Sequence, residues 1–171
     1  MSRAFVRESD DRPELPIARP AFPLPAGARN YFTALGAERL SQEIQRLLAT
    51  ERPPLAALLP DPEAKRKLVV LEQRIAELKQ ILETAEVVDP AAGDPDTVRF
   101  GATVTVRRGD GEEEEYRIVG VDEIDLDRGW VSWLSPIAKS LLHSRKGQRV
   151  RFRFPSGEED LEVVRIVYEN V

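Results

Sequence analysis

The chain of 171 residues carries 25 Lys and Arg against 30 Asp and Glu, one His and no Cys. The absence of Cys excludes disulfides, thiolate metal sites and Cys nucleophiles, and the single His143 argues against a Ser–His–Asp triad. A net charge of −5 disfavours wrapping of a nucleic-acid duplex, and no apolar run approaches the ~20 residues of a membrane span. The sequence therefore predicts a cytoplasmic protein with no membrane contact, no cofactor and no metal.

The first 30 residues are rich in proline. They hold five of the 13 prolines, and their scattered apolar side chains follow no period of 2 or 3.6 residues. Residues 1–30 are therefore predicted to form a Pro-rich flexible leader. Its short apolar stretches could dock on a surface, although a plain flexible tail is the favoured interpretation.

A helix is predicted to begin after Thr33, because a Thr hydroxyl can accept one of the unpaired amides of a first helical turn. Leu40, Ile44 and Leu47 follow at spacings of four and three residues, which places them on one face. The dipeptide Pro53-Pro54 then predicts a kink or a restart, because proline removes an amide and clashes with the preceding turn.

A second helix is predicted from Glu63 to Glu86, after a reversal of the chain at Pro60–Pro62. Its apolar residues recur at alternating spacings of three and four, which is the seam of a coiled coil: Leu68, Leu71, Ile75, Leu78, Leu82 and Ala85. A narrow seam needs a partner, and the first helix is the nearest one. Residues 31–89 are thus predicted to form an antiparallel coiled-coil hairpin, with a core helix lying on a sheet as the alternative.

After a predicted linker at residues 90–97 the apolar period changes to two. Residues 98–171 are predicted to form a small, curved, mostly antiparallel sheet domain. Ser135 and Pro136 mark the start of one short helix within it, as cap and first residue. The predicted fold class is therefore α+β, with a helical hairpin followed by a β-rich domain.

Two carboxylates, Asp61 and Glu63, fall at the predicted tip of the hairpin. Two acids on an exposed tip could hold Mg²⁺ if they were delivered into the site of another protein. The alternative is helix capping, because acids before and within a first turn favour the positive end of the helix dipole. Capping is the preferred interpretation.

Three arginines, Arg149, Arg151 and Arg153, alternate with apolar residues on one predicted strand. They could contact phosphates or an acidic partner. They could equally pair across the sheet with Glu113 and Glu115, and the sequence leaves both alternatives open.

Several blocks of the sequence resemble, in order and spacing, the bacterial Gre transcription factors GreA and GreB. The similarity covers roughly residues 30–171 and leaves the leader outside it. The blocks are NYFTALGAERL (30–40), TAEVVD (84–89), VRFGATVTV (98–106), YRIVGVDEID (116–125), VSWLSPIAKSLL (131–142) and FRFPSGEEDLEVVRIVY (152–168).

The resemblance implies an FKBP-like C-terminal domain that binds RNA polymerase at its secondary channel, while the coiled coil reaches toward the active centre. Leu134, Ser135, Pro136 and Ile137 occupy the position of the family's docking loop. The catalytic centre belongs to the polymerase, so this chain is not expected to be an enzyme. It is expected to be a monomer whose contact with nucleic acid is indirect at most.

The chain departs from the family pattern at the tip. In the family, two acids of a Gly-Asp-x-x-Glu-Asn-x-Glu-Tyr motif help to hold a second Mg²⁺ that activates water for RNA cleavage, and this motif is absent here. The hairpin is also shorter by about a dozen residues, about six in each arm, which reduces its reach by about 9 Å at roughly 1.5 Å per residue. We therefore expect a transcription elongation factor or regulator with little or no stimulation of RNA cleavage.

Two alternatives remain at this point. The shortened arm also resembles the regulator of nucleoside diphosphate kinase, which suggests an interaction module with a different partner. The FKBP-like fold suggests prolyl isomerase activity, but the sequence shows no aromatic-rich pocket pattern that would support it.

Overall fold

The computed structural model describes residues 24–89 and 92–169, and these residues form an α+β fold. Most of the predicted leader, residues 1–23, and two residues of the predicted linker, Pro90 and Ala91, lie outside the described residues. Helices occupy the first half of the described chain and a curved sheet the second. Every helix in these two ranges is too short or too polar to span a lipid bilayer.

The first arm of the hairpin begins with helix α1, Ala34–Arg46. As predicted, Thr33 is its N-cap, and its Oγ1 accepts a hydrogen bond from the amide of Gly36 at 3.0 Å. A π-helical turn, Leu47–Glu51, connects α1 to the short helix α2, Arg52–Ala57. The wider turn lies directly before Pro53-Pro54, so the predicted disruption takes the form of a local π-bulge.

The second arm is helix α3, Pro62–Thr84, and it packs on the first arm through four of the six predicted seam residues, whereas Leu68 is half-buried outside this contact. Leu71, Ile75 and Leu78 are buried in a cluster with Ile44 and Leu47 of the first arm. The half-buried residues around this cluster also belong to the two arms: Leu40, Leu48, Leu55 and Leu82. The alternative of a core helix lying on the sheet is therefore wrong.

The end of the second arm differs from the prediction. Helix α3 ends at Thr84 rather than Glu86, and Ala85–Val87 forms strand β2, which runs parallel to strand β1, Asn30–Phe32. Ala85, predicted as the last seam residue, has an extended backbone and lies in this strand. The pairing continues beyond β2, where the amide of Val88 donates to the carbonyl of Phe32 at 3.0 Å, so the two arms are joined at their base.

The second half of the chain is a five-stranded sheet with strand order β5-β4-β3-β7-β6. Neighbouring strands are antiparallel except for the parallel pair β4–β5. One short helix, α4 (Pro136–Leu141), begins at the predicted Ser135 cap. The strands are β3 Thr103–Arg107, β4 Glu113–Val119, β5 Trp130–Ser132, β6 Arg149–Phe154 and β7 Gly157–Val167.

The sheet has a hydrophobic core of its own, separate from the hairpin seam. Side chains of β3, β4 and β7 and of α4 fill it, together with Val98 and Ala102, which precede β3. Its fully buried members include Val104, Ile118 and Leu161. Because these side chains cover each other, the sheet contributes nothing to the burial of the helical seam.

Two arginines of β6, Arg151 and Arg153, pair with acids of the adjacent strand β7. Nε of Arg151 lies 3.1 Å from Oδ1 of Asp160, and a guanidinium nitrogen of Arg151 lies 3.6 Å from Oε1 of Glu158. The alternative of a pairing with Glu113 and Glu115, which the sequence leaves open, is wrong, and these acids bind arginines of β3 and β7 instead. The reason is the strand order, which places β7 and β3 between β6 and β4.

A cavity in the seam should destabilise the hairpin and leave the sheet domain stable. Ile75 is 3% exposed, so Ile75→Ala should lower the free energy of unfolding of the helices by about 2–5 kcal/mol. Urea unfolding followed by circular dichroism reports mainly the helices, whereas hydrogen exchange of the amides in β3, β4 and β7 reports the sheet domain. Val69→Ala is the matched control, because Val69 is 61% exposed and its truncation should change stability by about 0.5 kcal/mol or less. Equal effects of the two substitutions would contradict the seam.

Candidate functional site

The tip of the hairpin presents apolar side chains. The chain reverses between α2 and α3, and Leu58 and Leu59 at this reversal are 61% and 46% exposed. Hydration of large aliphatic side chains is unfavourable, so exposed leucines at this turn are suited to contact with another surface.

Both acids at the tip are engaged within their own helix. Oδ2 of Asp61 accepts a hydrogen bond from the amide of Ala64 at 2.8 Å, which caps α3. Oε1 of Glu63 lies 2.8 Å from Nζ of Lys67, one helical turn further on. The hydrogen bond to Glu63 raises the pKa of Lys67 above its usual value. The arrangement is the capping geometry that the sequence favours over metal binding.

The surroundings of the two acids are basic. Lys65, Arg66 and Lys67 follow directly on the first turn of α3, and all three are exposed. Three cations next to two carboxylates lower the affinity of the tip for a divalent cation. Within residues 24–89 and 92–169, no group of three or more His, Cys, Asp or Glu side chains could hold a metal ion.

A shallow groove lies between the two arms. Its apolar lining residues are Leu47, Leu55, Val70 and Leu71, and its charged ones are Arg46, Glu51, Arg66, Lys67 and Arg74. Arg46 is held in place by Glu43 and Glu51, with nitrogen–oxygen distances of 2.8 and 2.6 Å, and these hydrogen bonds raise its pKa. The hairpin thus offers an apolar and basic side to its surroundings.

The predicted docking loop lies between β5 and α4. Pro136 is exposed, Leu134 and Ser135 are half-buried, and Ile137 is 9% exposed and belongs to the core of the sheet domain. Ile137 therefore anchors the loop from below, and the accessible part of the predicted docking set is formed by Leu134, Ser135 and Pro136.

Hydrogen bonds give this loop a defined shape. The amide of Leu134 donates to Oγ of Ser132 at 3.1 Å, and the amide of Ser135 donates to the Ser132 carbonyl at 2.9 Å. Oγ of Ser135 accepts from the amide of Ala138 at 3.3 Å. A loop that is already ordered loses little conformational entropy when a partner binds it.

A third feature, a buried carboxylate between the hairpin and the sheet domain, is not indicated by any sequence pattern. Glu123, in a 3₁₀ turn that follows β4, is 9% exposed. Its Oε2 accepts hydrogen bonds from the amides of Thr33 and Gly120, each at 3.0 Å, and its Oε1 accepts one from the hydroxyl of Thr33. Glu123 and Thr33 are 90 positions apart, so neither local spacing nor periodicity could connect them.

Aromatic contacts also connect the hairpin to the sheet domain. The ring of Tyr31 in β1 lies 5.6 Å from that of Phe100 and 5.1 Å from that of Trp133, measured between centroids. The guanidinium carbon of Arg39 in α1 lies 5.1 Å from the ring centroid of Trp130. Trp133 directly precedes the docking loop, so the hairpin base and the loop share one region of the molecule.

Comparison with known proteins identifies relatives of this chain. A sequence model of the family described as "Transcription elongation factor, GreA/GreB, C-term" matches residues 93–168. The chain is 36% identical to the transcription elongation factor GreB of Neisseria meningitidis serogroup A over 154 residues, which cover 82% of this chain and 94% of that protein. It is 38% identical to the transcription elongation factor GreA of Alkalilimnicola ehrlichii over 152 residues, with coverages of 80% and 96%.

Solved structures with a related sequence include the GreA factor homolog Gfh1 of Thermus thermophilus. That protein is 25% identical, with coverages of 82% of this chain and 99% of Gfh1, and the TM-score is 0.38. A GreA/GreB factor from Nitrosomonas europaea is 24% identical, with coverages of 82% and 100% and a TM-score of 0.41. From the sequence relationships, the chain belongs to the GreA/GreB family of transcription elongation factors.

Capping by Asp61 can be separated from any other role of this carboxylate. Asp61→Ala should lower the free energy of unfolding of the hairpin by about 0.5–2 kcal/mol, because it removes the hydrogen bond to the Ala64 amide. Asp61→Asn should have a much smaller effect, since Asn is an equally good N-cap. Thermal unfolding followed by circular dichroism measures both, and equal losses in the two variants would argue against the cap.

Proposed function

We propose that this protein binds RNA polymerase at its secondary channel, with the sheet domain docked on the rim and the hairpin directed into the channel. It acts by occupying the channel and contributes no metal ligands to RNA cleavage. The observation that carries this proposal is the state of the hairpin tip, where both acids are engaged within α3 and leucines stand exposed.

Docking is supported by the family and by the loop geometry. The chain shares the family's C-terminal domain over residues 93–168. The loop of Leu134, Ser135 and Pro136 is shaped by hydrogen bonds and anchored by the buried Ile137. Its exposed surface is largely apolar, which suits a hydrophobic contact with a large partner.

Occupation without cleavage is supported by the chemistry of the tip. The cap on α3 uses Oδ2 of Asp61, and an exposed ion pair with Lys67 uses Oε1 of Glu63, so each acid has one oxygen in use. Lys65, Arg66 and Lys67 add positive charge close to both acids, which disfavours a divalent cation there. Exposed leucines provide contact area in a pore, but they cannot activate water.

The length of the chain is consistent with a shortened arm. The alignment with the Neisseria GreB extends over 154 residues, whereas 82% of this 171-residue chain is about 140 residues. About 14 aligned positions of the relative therefore have no counterpart in this chain. A loss of this size fits the shortening that the sequence comparison with the family predicts for the hairpin.

A charge in the docking loop should weaken binding to the polymerase. Pro136 is exposed at the first position of α4, where Asp is well tolerated because it lies near the positive end of the helix. Pro136→Asp should raise the Kd for purified RNA polymerase by about tenfold or more, or about 1.4 kcal/mol, because the charge loses hydration in an apolar contact. Binding is measured by fluorescence anisotropy of labelled protein.

Ser156→Asp is the matched control, because it adds the same charge at the exposed turn between β6 and β7. It should leave the Kd unchanged within about twofold. Unchanged affinity in Pro136→Asp would argue against this docking loop. Absence of any affinity of the wild-type chain for the polymerase would contradict the proposed function and favour an interaction module with a different partner.

A further inference from the structure

We propose that Glu123 is a positioning residue that fixes the direction in which the hairpin leaves the sheet domain. Its carboxylate belongs to the sheet domain by sequence, yet two of the three hydrogen bonds it accepts come from Thr33, at the start of the first hairpin helix. The third comes from Gly120, in its own turn. Glu123 thus joins the two parts of the protein through a single side chain.

The hydrogen bonds form a continuous chain into the helix. The amide of Gly36 donates to Oγ1 of Thr33, and the Thr33 hydroxyl donates in turn to Glu123. A buried carboxylate at this place also stands at the N-terminal end of α1, where the helix dipole favours negative charge. The set Gly36, Thr33 and Glu123 is called the junction clamp below.

Close packing at two glycines restricts the junction clamp further. A Cβ atom at Gly36 would overlap the carboxylate of Glu123, and one at Gly120 would overlap the backbone carbonyl of Tyr31. Helix α1 and the turn that carries Glu123 are therefore in direct contact at residues without side chains. Such a contact allows one approach of the helix and leaves little room for rotation.

Aromatic rings connect the same two parts of the protein. Tyr31 contacts Phe100 and Trp133 at centroid distances of 5.6 and 5.1 Å, and ring pairs of this kind occur in both stacked and edge-to-face arrangements. Hydrogen bonds to a buried carboxylate are directional and costly to leave unmade. We therefore assign the fixed direction of the hairpin to Glu123 and the cohesion of the junction to the rings.

The test is the distribution of distances between the hairpin tip and the sheet domain in the free protein. The chain has no Cys, so Lys65→Cys and Ser156→Cys introduce the only two sites for spin labels, and both positions are exposed. In the labelled protein without further substitutions, pulsed electron–electron double resonance should give one narrow distribution of distances between the two labels. In Glu123→Gln it should become about twofold broader or gain a second peak, because an amide cannot accept all three hydrogen bonds and the hairpin then samples several directions.

Thr33→Val and Thr33→Ser form a matched pair. Valine has the shape of threonine but no hydroxyl, so it should broaden the distribution, whereas serine retains the hydroxyl and should keep it narrow. Asp127→Asn removes an exposed acid in a neighbouring turn. It controls for the charge lost in Glu123→Gln and should keep the distance distribution narrow. The Thr33→Val variant loses the hydrogen bonds of the hydroxyl with Glu123 and with the Gly36 amide but keeps the carboxylate of Glu123, so the test stands even if Glu123→Gln fails to fold.

A merely stabilising role of Glu123 would lower the melting temperature and leave the distances of the folded molecules narrow. Narrow wild-type distributions in folded Glu123→Gln, or in Thr33→Val, would overturn the proposal. The experiment uses the free protein, so its outcome is independent of polymerase binding. The consequence for the channel, that a released hairpin enters it less often, rests on the proposed function.

Discussion

Each arm of the hairpin carries a narrow apolar stripe that only another narrow stripe can cover. Ile44 and Leu47 on one arm and Leu71, Ile75 and Leu78 on the other bury each other, while the sheet fills its core with its own residues. Burial of such side chains contributes about 1.5–3 kcal/mol each. The pairing of the arms therefore determines that the hairpin forms a separate element with an exposed tip.

The base of the hairpin gives this element a defined relation to the rest of the protein. Strands β1 and β2 join the ends of the two arms, and Glu123 links the first helix to the sheet domain. Trp133 contacts Tyr31 of β1 and directly precedes the docking loop. The surface proposed to dock and the element proposed to enter the channel thus meet at one junction, so the position of the loop can determine that of the tip.

The tip shows how a change of local chemistry alters what a shared architecture can do. A cap and an ion pair between neighbouring helical residues satisfy the acids Asp61 and Glu63 inside α3. The neighbouring Leu58 and Leu59 have no side-chain group that could bind a metal ion. In the proposed role, the protein binds RNA polymerase as its family does, but its hairpin tip supplies no metal ligands.

Much of this structure could be predicted because it rests on local patterns. Thr33, Asp61 and Ser135 all cap helices where their side chains suggest it, and the seam follows from spacing alone. The strands β1 and β2 have three residues each and are too short to show an apolar period. The sequence therefore predicts that α3 ends at Glu86, two residues beyond its observed end at Thr84. Contacts between residues far apart in the sequence could not be predicted from local patterns. The strand order determines the partners of Arg151, and the fold brings Glu123 to Thr33.

Cleavage of backtracked RNA in a stalled transcription complex tests the central claim most directly. The assay compares this protein alone with this protein added in excess to a Gre factor that carries the acidic tip motif. The account predicts no cleavage in the first case and slower cleavage in the second, because the hairpin occupies the channel without supplying metal ligands. Brisk cleavage that disappears in Asp61→Asn and Glu63→Gln, or an excess that leaves the other factor's rate unchanged, would contradict it.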